Sequence, residues 1–226
     1  MPTKTKVRNM FDSIAGDYDA LNHILSLDVD KIWRKKALKQ IVDAPAPVQV
    51  LDLACGTGDF SIAIAKALSS ATGSHVTGVD LSEGMLAVMR EKVAKADLTE
   101  MISIEEGDGE NLRFPDNTFD RVTIAFGIRN FENREKGLRE MLRVLKPGGR
   151  LVILELSRPE NKVIRWFYDL YFLHILPKIG GKVSGDKAAY AYLPASVAAF
   201  PGKKAFMATM REAGFRTVTH KAFTLG

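Results

Sequence analysis

Residues 50–59, Val-Leu-Asp-Leu-Ala-Cys-Gly-Thr-Gly-Asp, join a short apolar run to a turn that contains two glycines. The apolar run predicts a buried strand, and the stretch that follows it as far as Ser70 has the spacing of a helix. Glycines at positions 56 and 58 let the backbone approach a ligand closely, and the first turn of a helix offers free N–H groups. The stretch therefore predicts a strand–turn–helix unit with a ligand at the turn.

The same alternation of short apolar runs and helical periods continues along the chain. Further strands are predicted at residues 75–79, 101–105, 119–125 and 150–156, and Lys146-Pro-Gly-Gly149 is predicted to end the helix before the last of them. Strands that alternate with helices are joined by right-handed crossovers. We therefore expect an α/β fold with a mostly parallel sheet and helices on both faces.

The ends of the chain differ from this central pattern. We expect one domain over residues 1–226, in which residues 1–45 form a helical cap, 46–157 the ligand-binding core and 158–200 a helical insertion after the fifth strand. Residues 201–226 are predicted to hold a helix at 203–213 and a short strand at 217–220. The prolines of Asp43-Ala-Pro-Ala-Pro47 mark the boundary before the core, because proline interrupts a helix.

Composition limits the class of protein. Hydrophobic residues make up 46% and charged residues 26% of 226, which indicates a globular chain and excludes a disordered or fibrous one. The apolar runs are too short for a transmembrane helix, and no signal peptide is visible. The single cysteine, Cys55, excludes an internal disulfide and a multi-cysteine zinc site. This cysteine usage suits a reducing cytosol, so we expect a cytoplasmic protein with no metal. A net charge of +5 is too weak to indicate a nucleic acid partner.

Acidic residues occur at the ends of three predicted strands. Asp52 precedes the two glycines, Asp80 ends the second strand, and Asp108 follows the third. Because the carboxyl ends of neighbouring parallel strands meet at one crevice, we expect the three carboxylates to converge there. Asp52 would hold an ammonium group, Asp80 both hydroxyls of a ribose, and Asp108 the amino group of an adenine. The third glycine of a dinucleotide-binding turn is replaced by Ser61, and no phosphate-binding residue is apparent, so the set predicts S-adenosylmethionine as the cofactor.

Longer motifs resemble one family. Residues 51–59, 78–82, 114–120 and 145–149 look like the motifs of class I methyltransferases. The more specific motifs are Met10-Phe-Asp-Ser-Ile-Ala-Gly-Asp-Tyr-Asp19, residues 26–34, Ala125-Phe-Gly-Ile-Arg-Asn130 and Tyr190-Ala-Tyr-Leu193. They resemble the ubiquinone/menaquinone biosynthesis C-methyltransferase family over nearly the whole chain. The resemblance implies a Rossmann-like class I methyltransferase fold with an N-terminal helical cap and a helical insertion after strand five.

The resemblance also implies a reaction and its cofactor site. The reaction would be S-adenosylmethionine-dependent C-methylation of a prenylated quinol, with demethylmenaquinol as the expected substrate and a benzoquinol precursor of ubiquinone, or another small molecule, as the alternative. Many members of the family have serine at position 125, so alanine there leaves only backbone contacts. The predicted cofactor-binding residues are Asp52, Gly56, Thr57, Gly58, Asp80, Leu81, Asp108, Gly109 and Ala125.

Two residues after the fourth strand are the predicted catalytic residues. Arg129 and Asn130 lie where they would hold a quinolate oxygen, and Arg129 would also orient a water that takes the ring proton. A structural ion pair for Arg129 and a turn-closing role for Asn130 remain open as alternatives. The predicted substrate pocket consists of Tyr18, Phe126, Tyr168 and His174. For Tyr18, packing of the N-terminal helix over the site is the favoured alternative, and for His174 it is a position in the core.

The apolar stretch Val163–Leu176 has three interpretations: a helix that faces the core, a wall for the prenyl tail, or a face that contacts a bilayer. Together with the net charge it suggests peripheral contact with the anionic inner face of a membrane. A homodimer is an open possibility.

Other functions remain as alternatives at this point. An RNA methyltransferase would need a basic stripe with stacking aromatics, whereas the basic residues here are scattered. The remaining alternatives are a nicotinamide-dependent oxidoreductase and a non-catalytic, cofactor-binding partner subunit.

Overall fold

The computed structural model describes residues 3–16, 18, 29–159, 165–166 and 187–223 of the chain. Five strands form one sheet in the order β3-β2-β1-β4-β5, and all four ladders are parallel. The strands are β1 (Gln49–Leu53), β2 (His75–Asp80), β3 (Ile102–Glu106), β4 (Phe119–Ala125) and β5 (Leu145–Leu154). The parallel sheet confirms the fold class predicted from the alternation of strands and helices.

Seven α-helices occur in the described part of the chain. They are α1 (Lys4–Ile14), α2 (Val29–Leu38), α3 (Asp59–Leu68), α4 (Glu83–Lys95), α5 (Arg134–Val144), α6 (Lys187–Ala198) and α7 (Lys203–Glu212). A single 3₁₀ turn, Ile128–Asn130, follows β4. Among the described residues, none of these helices has the length and apolar character that crossing a bilayer would require.

The two faces of the sheet carry separate hydrophobic cores. Val50 of β1 belongs to the core formed with α2, α3 and α4, whereas its neighbours Leu51 and Leu53 belong to the core formed with α5 and α7. Successive side chains of a strand point to opposite faces, which explains this division. The continuous apolar character of β1 therefore reflects a strand that is buried on both sides.

Two helices begin at side-chain caps that hold the loops next to the carboxyl edge of the sheet. The hydroxyl of Ser82 accepts the Met85 N–H at 3.2 Å at the start of α4. The Asn133 side chain accepts the Lys136 N–H at 2.9 Å at the start of α5. Each cap satisfies a backbone donor that has no partner inside its helix.

The start of β5 differs from the sequence prediction. The prediction placed a helix-ending turn at residues 146–149 and the strand at 150–156, but α5 ends at Val144 and β5 begins at Leu145. The register of β4 against β5 shifts between Phe119 and Arg121, so residues 146–149 form an irregularity within the strand. A Cβ at Gly149 would lie 2.8 Å from the Lys146 carbonyl oxygen, which explains the glycine at this position.

The predicted strand at 217–220 is wrong for this structure. These residues have no strand assignment, and the described residues include no strand that pairs with them. A short segment without a ladder partner leaves its backbone groups to water and gains nothing from an extended conformation. Most of the predicted insertion, including the greater part of Val163–Leu176, lies outside the described residues.

Candidate functional site

The carboxyl ends of β1, β2, β3 and β4 border one crevice beneath α1. It has a free volume of about 80 Å³. Open α/β sheets bind ligands at this edge. The crevice is lined by Lys4, Val7, Arg8, Phe11, Tyr18, Ala54, Gly56, Val79, Asp80, Leu81, Ser82, Met85, Gly107, Asp108, Gly109, Glu110, Ala125, Phe126, Gly127, Asn130 and Phe131.

The glycine turn after β1 adopts backbone conformations that favour glycine. Gly56 has φ +55° and Gly58 has φ +84°. A Cβ at Gly58 would lie 2.5 Å from the Cγ of Met89, so only glycine lets α3 begin this close to α4. Gly56 lines the crevice, while Gly58 does not and serves the packing of the turn.

Asp80 connects the glycine turn to the end of β2. Its Oδ2 accepts the Gly56 N–H at 2.8 Å, and its Oδ1 accepts the Ser82 N–H at 2.9 Å. Burial raises the pKa of this carboxyl above its ordinary value, while the backbone N–H groups oppose the rise. Ser82, and not Asp80, is the N-cap of α4, so Asp80 remains an acceptor at the crevice.

Asp108 and Gly109 form the third part of the crevice. The Asp108 Oδ1 accepts the Glu110 N–H at 2.9 Å, and its Oδ2 lies 2.7 Å from the Lys4 Nζ. A Cβ at Gly109 would lie 2.6 Å from the Cζ of Phe131, so glycine allows this ring to pack against the loop. Asp80 and Asp108 therefore both border the crevice, as the sequence predicted.

Helix α1 lies across the crevice and is tied to both of its sides. Lys4 pairs with Asp108 and, at 2.9 Å, with the Oε2 of Glu110. Near the other end, the Asp12 Oδ1 accepts the Ser82 hydroxyl at 2.6 Å and the Gly84 N–H at 3.0 Å. Small-molecule sites typically enclose roughly 300–1,000 Å³, so the crevice in this conformation, with α1 across it, is smaller than a nucleoside site.

The structure corrects the prediction for Asp52. Its carboxyl is 1% exposed and accepts the Ser61 hydroxyl at 2.6 Å, and it does not line the crevice. Asp52 shares a strand face with Val50, so its side chain lies beneath α3 and not at the edge of the sheet. Burial, together with the charge of Asp80, raises the pKa of Asp52 to about 7. The predicted trio of carboxylates is therefore a pair, Asp80 and Asp108.

The structure places the Arg129 side chain away from the crevice. Arg129 is 6% exposed and does not line the crevice. Its guanidinium lies 2.9 Å from the Oε1 of Glu155, donates to the Ser196 hydroxyl at 3.2 Å and also bonds the Phe126 carbonyl. These bonds tie the end of β4 to β5 and α6. They match the structural ion pair that the sequence analysis left open as an alternative for Arg129.

Of the other predicted residues, some border the crevice and some do not. Asn130, Phe126, Ala125, Leu81 and Tyr18 line it, and their contacts with cofactor and substrate stay predictions. Thr57 is 3% exposed and absent from the lining, which contradicts a side-chain contact with a ligand in this conformation. Tyr168 and His174 lie outside the described residues.

Sequence reasoning missed four polar groups of the site, which are Lys4, Asp12, Ser82 and Glu110. Lys4 and Asp12 sit on the cap, and no local pattern shows that α1 folds back over residues about 70 to 128 positions further along the chain. The position of Ser82 after β2 is typical of a helix N-cap and does not by itself indicate a place in the site. Glu110 accepts the N–H groups of Glu132 and Asn133, a non-local arrangement without a sequence signal.

The charges around the crevice fit a cationic nucleoside. Both basic side chains in the lining are paired, Lys4 with Asp108 and Glu110, and Arg8 with Asp12 and Glu106 at 3.8 and 3.6 Å. A pyrophosphate would meet the Asp80 carboxylate with no unpaired cation beside it, whereas a sulfonium nucleoside would meet attractive charge. Among the described residues, no cluster of histidine, cysteine and carboxylate side chains could hold a metal ion.

Comparison with known proteins points to methyltransferases. The model of the ubiE/COQ5 methyltransferase family matches residues 2–226. A protein named ubiquinone/menaquinone biosynthesis C-methyltransferase UbiE from Geobacter sulfurreducens is 48% identical over 98% of this chain and 85% of that protein. A demethylmenaquinone methyltransferase from Bacteroides fragilis is 44% identical over 98% of this chain and 89% of that protein.

Solved structures share the fold. A putative methyltransferase from Bacillus halodurans has a TM-score of 0.57 and 28% identity, over 79% of this chain and 67% of that one. A putative methyltransferase from Haloferax volcanii, solved in complex with the Trm112 activator, has a TM-score of 0.62 at 23% identity, over 90% of this chain and 75% of that one. At 23% identity, the similarity to the Haloferax volcanii protein shows a shared fold and nothing more.

Proposed function

Because the chain belongs to the ubiE/COQ5 methyltransferase family, we propose that it transfers a methyl group from S-adenosylmethionine to a ring carbon of a prenylated quinol, converting demethylmenaquinol to menaquinol. Family membership establishes an S-adenosylmethionine-dependent methyltransferase. The choice of a naphthoquinol ring is our inference. It is supported by the similarity to relatives named demethylmenaquinone methyltransferase, including those of Bacteroides fragilis and Porphyromonas gingivalis.

One observation carries the proposal: Asp80, Asp108 and the loop that holds Asn130 meet at a single crevice. The two carboxylates supply acceptors at positions suited to a ribose and an adenine amino group. Val79, Leu81 and Phe131 provide apolar walls for the base. We expect Gly56 and Gly109 to let the backbone approach the nucleoside.

In the proposed reaction the protein positions the two reactants and excludes water. When bound, S-adenosylmethionine supplies an electrophilic methyl group, so that a carbon–carbon bond forms on the ring while the sulfur–carbon bond breaks, the neutral thioether is released and the ring proton passes to water. Asn130 would donate a hydrogen bond to a quinol oxygen, which favours loss of the hydroxyl proton to water. The resulting quinolate is the electron-rich form whose ring carbon attacks the methyl group. Phe126 and the cover formed by α1 would exclude water and limit the motion of the reactants.

An assay of turnover tests the proposal directly. Purified chain is incubated with S-adenosylmethionine and either short-chain demethylmenaquinol or the benzoquinol precursor of ubiquinone, and the products are analysed by mass spectrometry. We expect a mass increase of one methylene on the naphthoquinol. Exclusive methylation of the benzoquinol would shift the assignment to ubiquinone synthesis. Cofactor uptake with no methylation of either ring would contradict the proposal and favour a non-catalytic, cofactor-binding partner.

We also infer peripheral contact with an anionic membrane surface, because the proposed substrate carries a prenyl tail. The net charge of +5 supports this inference, as do Trp166 and Ile32, which are 61% and 55% exposed. Exposed apolar side chains next to basic ones, such as Ile32 beside Lys35 and Lys36, are typical of surfaces that contact lipid headgroups.

A further inference from the structure

Helix α6 contacts the 3₁₀ turn after β4 through two hydroxyl groups that lie one helical turn apart. The Tyr192 hydroxyl lies 2.9 Å from the Oδ1 of Asn130, and the Ser196 hydroxyl lies 3.2 Å from the Nε of Arg129. Residues four apart on a helix share one face, so a single face of α6 holds both residues of the turn. Asn130 lines the crevice, whereas Arg129 does not.

The surroundings of the Tyr192 hydroxyl fix the direction of its hydrogen bond. Burial raises the pKa of this phenol, so the hydroxyl keeps its proton and can donate a hydrogen bond. The nearby guanidinium groups of Arg129 and Arg134 only donate, and the Glu155 carboxylate is already engaged by Arg129. The Asn130 carbonyl oxygen is the acceptor within reach.

This direction determines which end of the Asn130 amide remains for a ligand. With its oxygen held by Tyr192, the carboxamide keeps its NH₂ group as the free donor. No described residue accepts a hydrogen bond from that group. Rotation of the amide would break the bond to Tyr192 and exchange the positions of the oxygen and the NH₂ group.

We propose that Tyr192 is a positioning residue, which orients the Asn130 amide so that its NH₂ group donates to the quinol oxygen. The inference deepens the proposed function and rests on it. A donor at this point stabilises the negative charge that a hydroxylated ring must develop before it attacks a methyl group. The opposite amide orientation would repel that charge.

The first test compares two substitutions that change one interaction each. Tyr192→Phe removes the hydroxyl and keeps the ring, and we expect it to lower kcat by about tenfold, while the Kd for S-adenosylmethionine in calorimetry stays within about twofold. Asn130→Asp keeps an oxygen for Tyr192 but removes the NH₂ group, and we expect a loss of about a hundredfold in kcat. Near wild-type turnover of Tyr192→Phe would overturn the proposal.

A double-mutant cycle separates positioning from a general structural role. If Tyr192 acts through Asn130, adding Tyr192→Phe to Asn130→Ala leaves kcat at the value of Asn130→Ala alone. Independent losses that multiply would overturn the proposal. Ser196→Ala is the matched control, because it removes the other hydroxyl of the same helix face, next to Arg129. It should keep kcat within about threefold of wild type.

A spectroscopic readout distinguishes failure of this proposal from failure of the proposed function. The side-chain ¹⁵N amide signals of Asn130, identified by their loss in Asn130→Asp, should shift in Tyr192→Phe whether or not any quinol is methylated. Unchanged signals would refute the hydrogen bond itself. If the signals shift but wild-type protein methylates neither quinol, the proposed reaction fails, and with it the role assigned to the amide.

Discussion

Asp52 and Asp80 are carboxylates on adjacent strands whose surroundings give them different properties. Asp80 accepts two backbone N–H groups at the crevice, whereas Asp52 lies beneath α3 with the Ser61 hydroxyl as its donor. A neutral hydroxyl compensates the burial of a negative charge poorly, so the Asp52 pKa rises to about 7. The consequence is a dependence of stability on pH.

Asp52→Asn should change how the free energy of unfolding depends on pH. The pKa of Asp52 is raised in the folded state, so its stabilising contribution is complete below about pH 4 and is lost as the pH rises through 7. The difference can reach about 4 kcal/mol, since one pKa unit corresponds to about 1.4 kcal/mol. Urea unfolding between pH 4 and 8 should therefore show Asp52→Asn gaining stability relative to wild type with rising pH. Glu91→Gln, on the exposed side of α4, is the control, and parallel curves for Asp52→Asn and wild type would contradict the prediction.

Arg129→Ala should mainly destabilise the protein. The side chains of Arg129 and Glu155 are each 5% exposed, so removal of the guanidinium leaves a buried carboxylate without its cation. Such losses typically amount to about 3–5 kcal/mol, and Arg129→Met combined with Glu155→Gln should recover part of this because both charges are then gone. Urea unfolding measures the loss, and calorimetry should show cofactor affinity within about threefold of wild type. Wild-type stability with abolished turnover would instead restore a direct catalytic role for Arg129.

Helix α1 illustrates how an element can belong to the site without a local signal for it. Its sequence predicts a helix with one apolar side, which the structure confirms. The partners of Lys4 and Asp12 across the crevice depend on the tertiary fold. In this structure Lys4 occupies the Asp108 oxygen that we expect an adenine amino group to use.

Lys4→Ala should therefore strengthen cofactor binding. The Lys4 and Asp108 side chains are 29% and 28% exposed, and ion pairs of this kind contribute about 0.2–1 kcal/mol. We expect a Kd for S-adenosylmethionine about two- to fivefold lower and faster association in stopped-flow fluorescence. Lys6→Ala, an exposed lysine of the same helix, is the control. Weaker binding by Lys4→Ala would mean that Lys4 contacts the cofactor.

The regular elements of the core could be predicted because each depends on a local pattern. The strand at 119–125 was predicted with its observed bounds, and the helix from residue 203 ends within one residue of its prediction. Residues 146–149 were predicted as a turn because Pro-Gly-Gly ends helices, but pairing with β4 extends the strand through them. The positions of Asp80 and Asp108 at the crevice could be predicted because both residues follow the ends of strands. The position of Asp52 was predicted wrongly, because the face of a strand to which a side chain points depends on register. The burial of the Arg129 side chain could not be predicted, because its partners Glu155 and Ser196 are distant in sequence.

The net positive charge of the whole molecule is expected to promote its binding to anionic membranes. Cosedimentation with vesicles that contain about 30% anionic lipid should show binding at low salt that disappears at about 0.5 M salt, because each basic residue near the surface contributes only about 1 kcal/mol and is screened. Trp166→Ala should weaken binding if this exposed ring contacts the headgroups. Neutral vesicles are the control, and equal binding to both compositions would refute an electrostatic contribution.

The placement of α1 also bears on how the protein is synthesised. This helix of 11 residues is translated before its partners Ser82, Asp108 and Glu132, which lie 70 to 128 residues later in the chain. A segment this short is only marginally helical alone in water, so it must wait for the core before it can dock. Until residue 108 and its neighbours have been translated, the buried residue Val7 of α1 has no core to pack against and stays exposed to water.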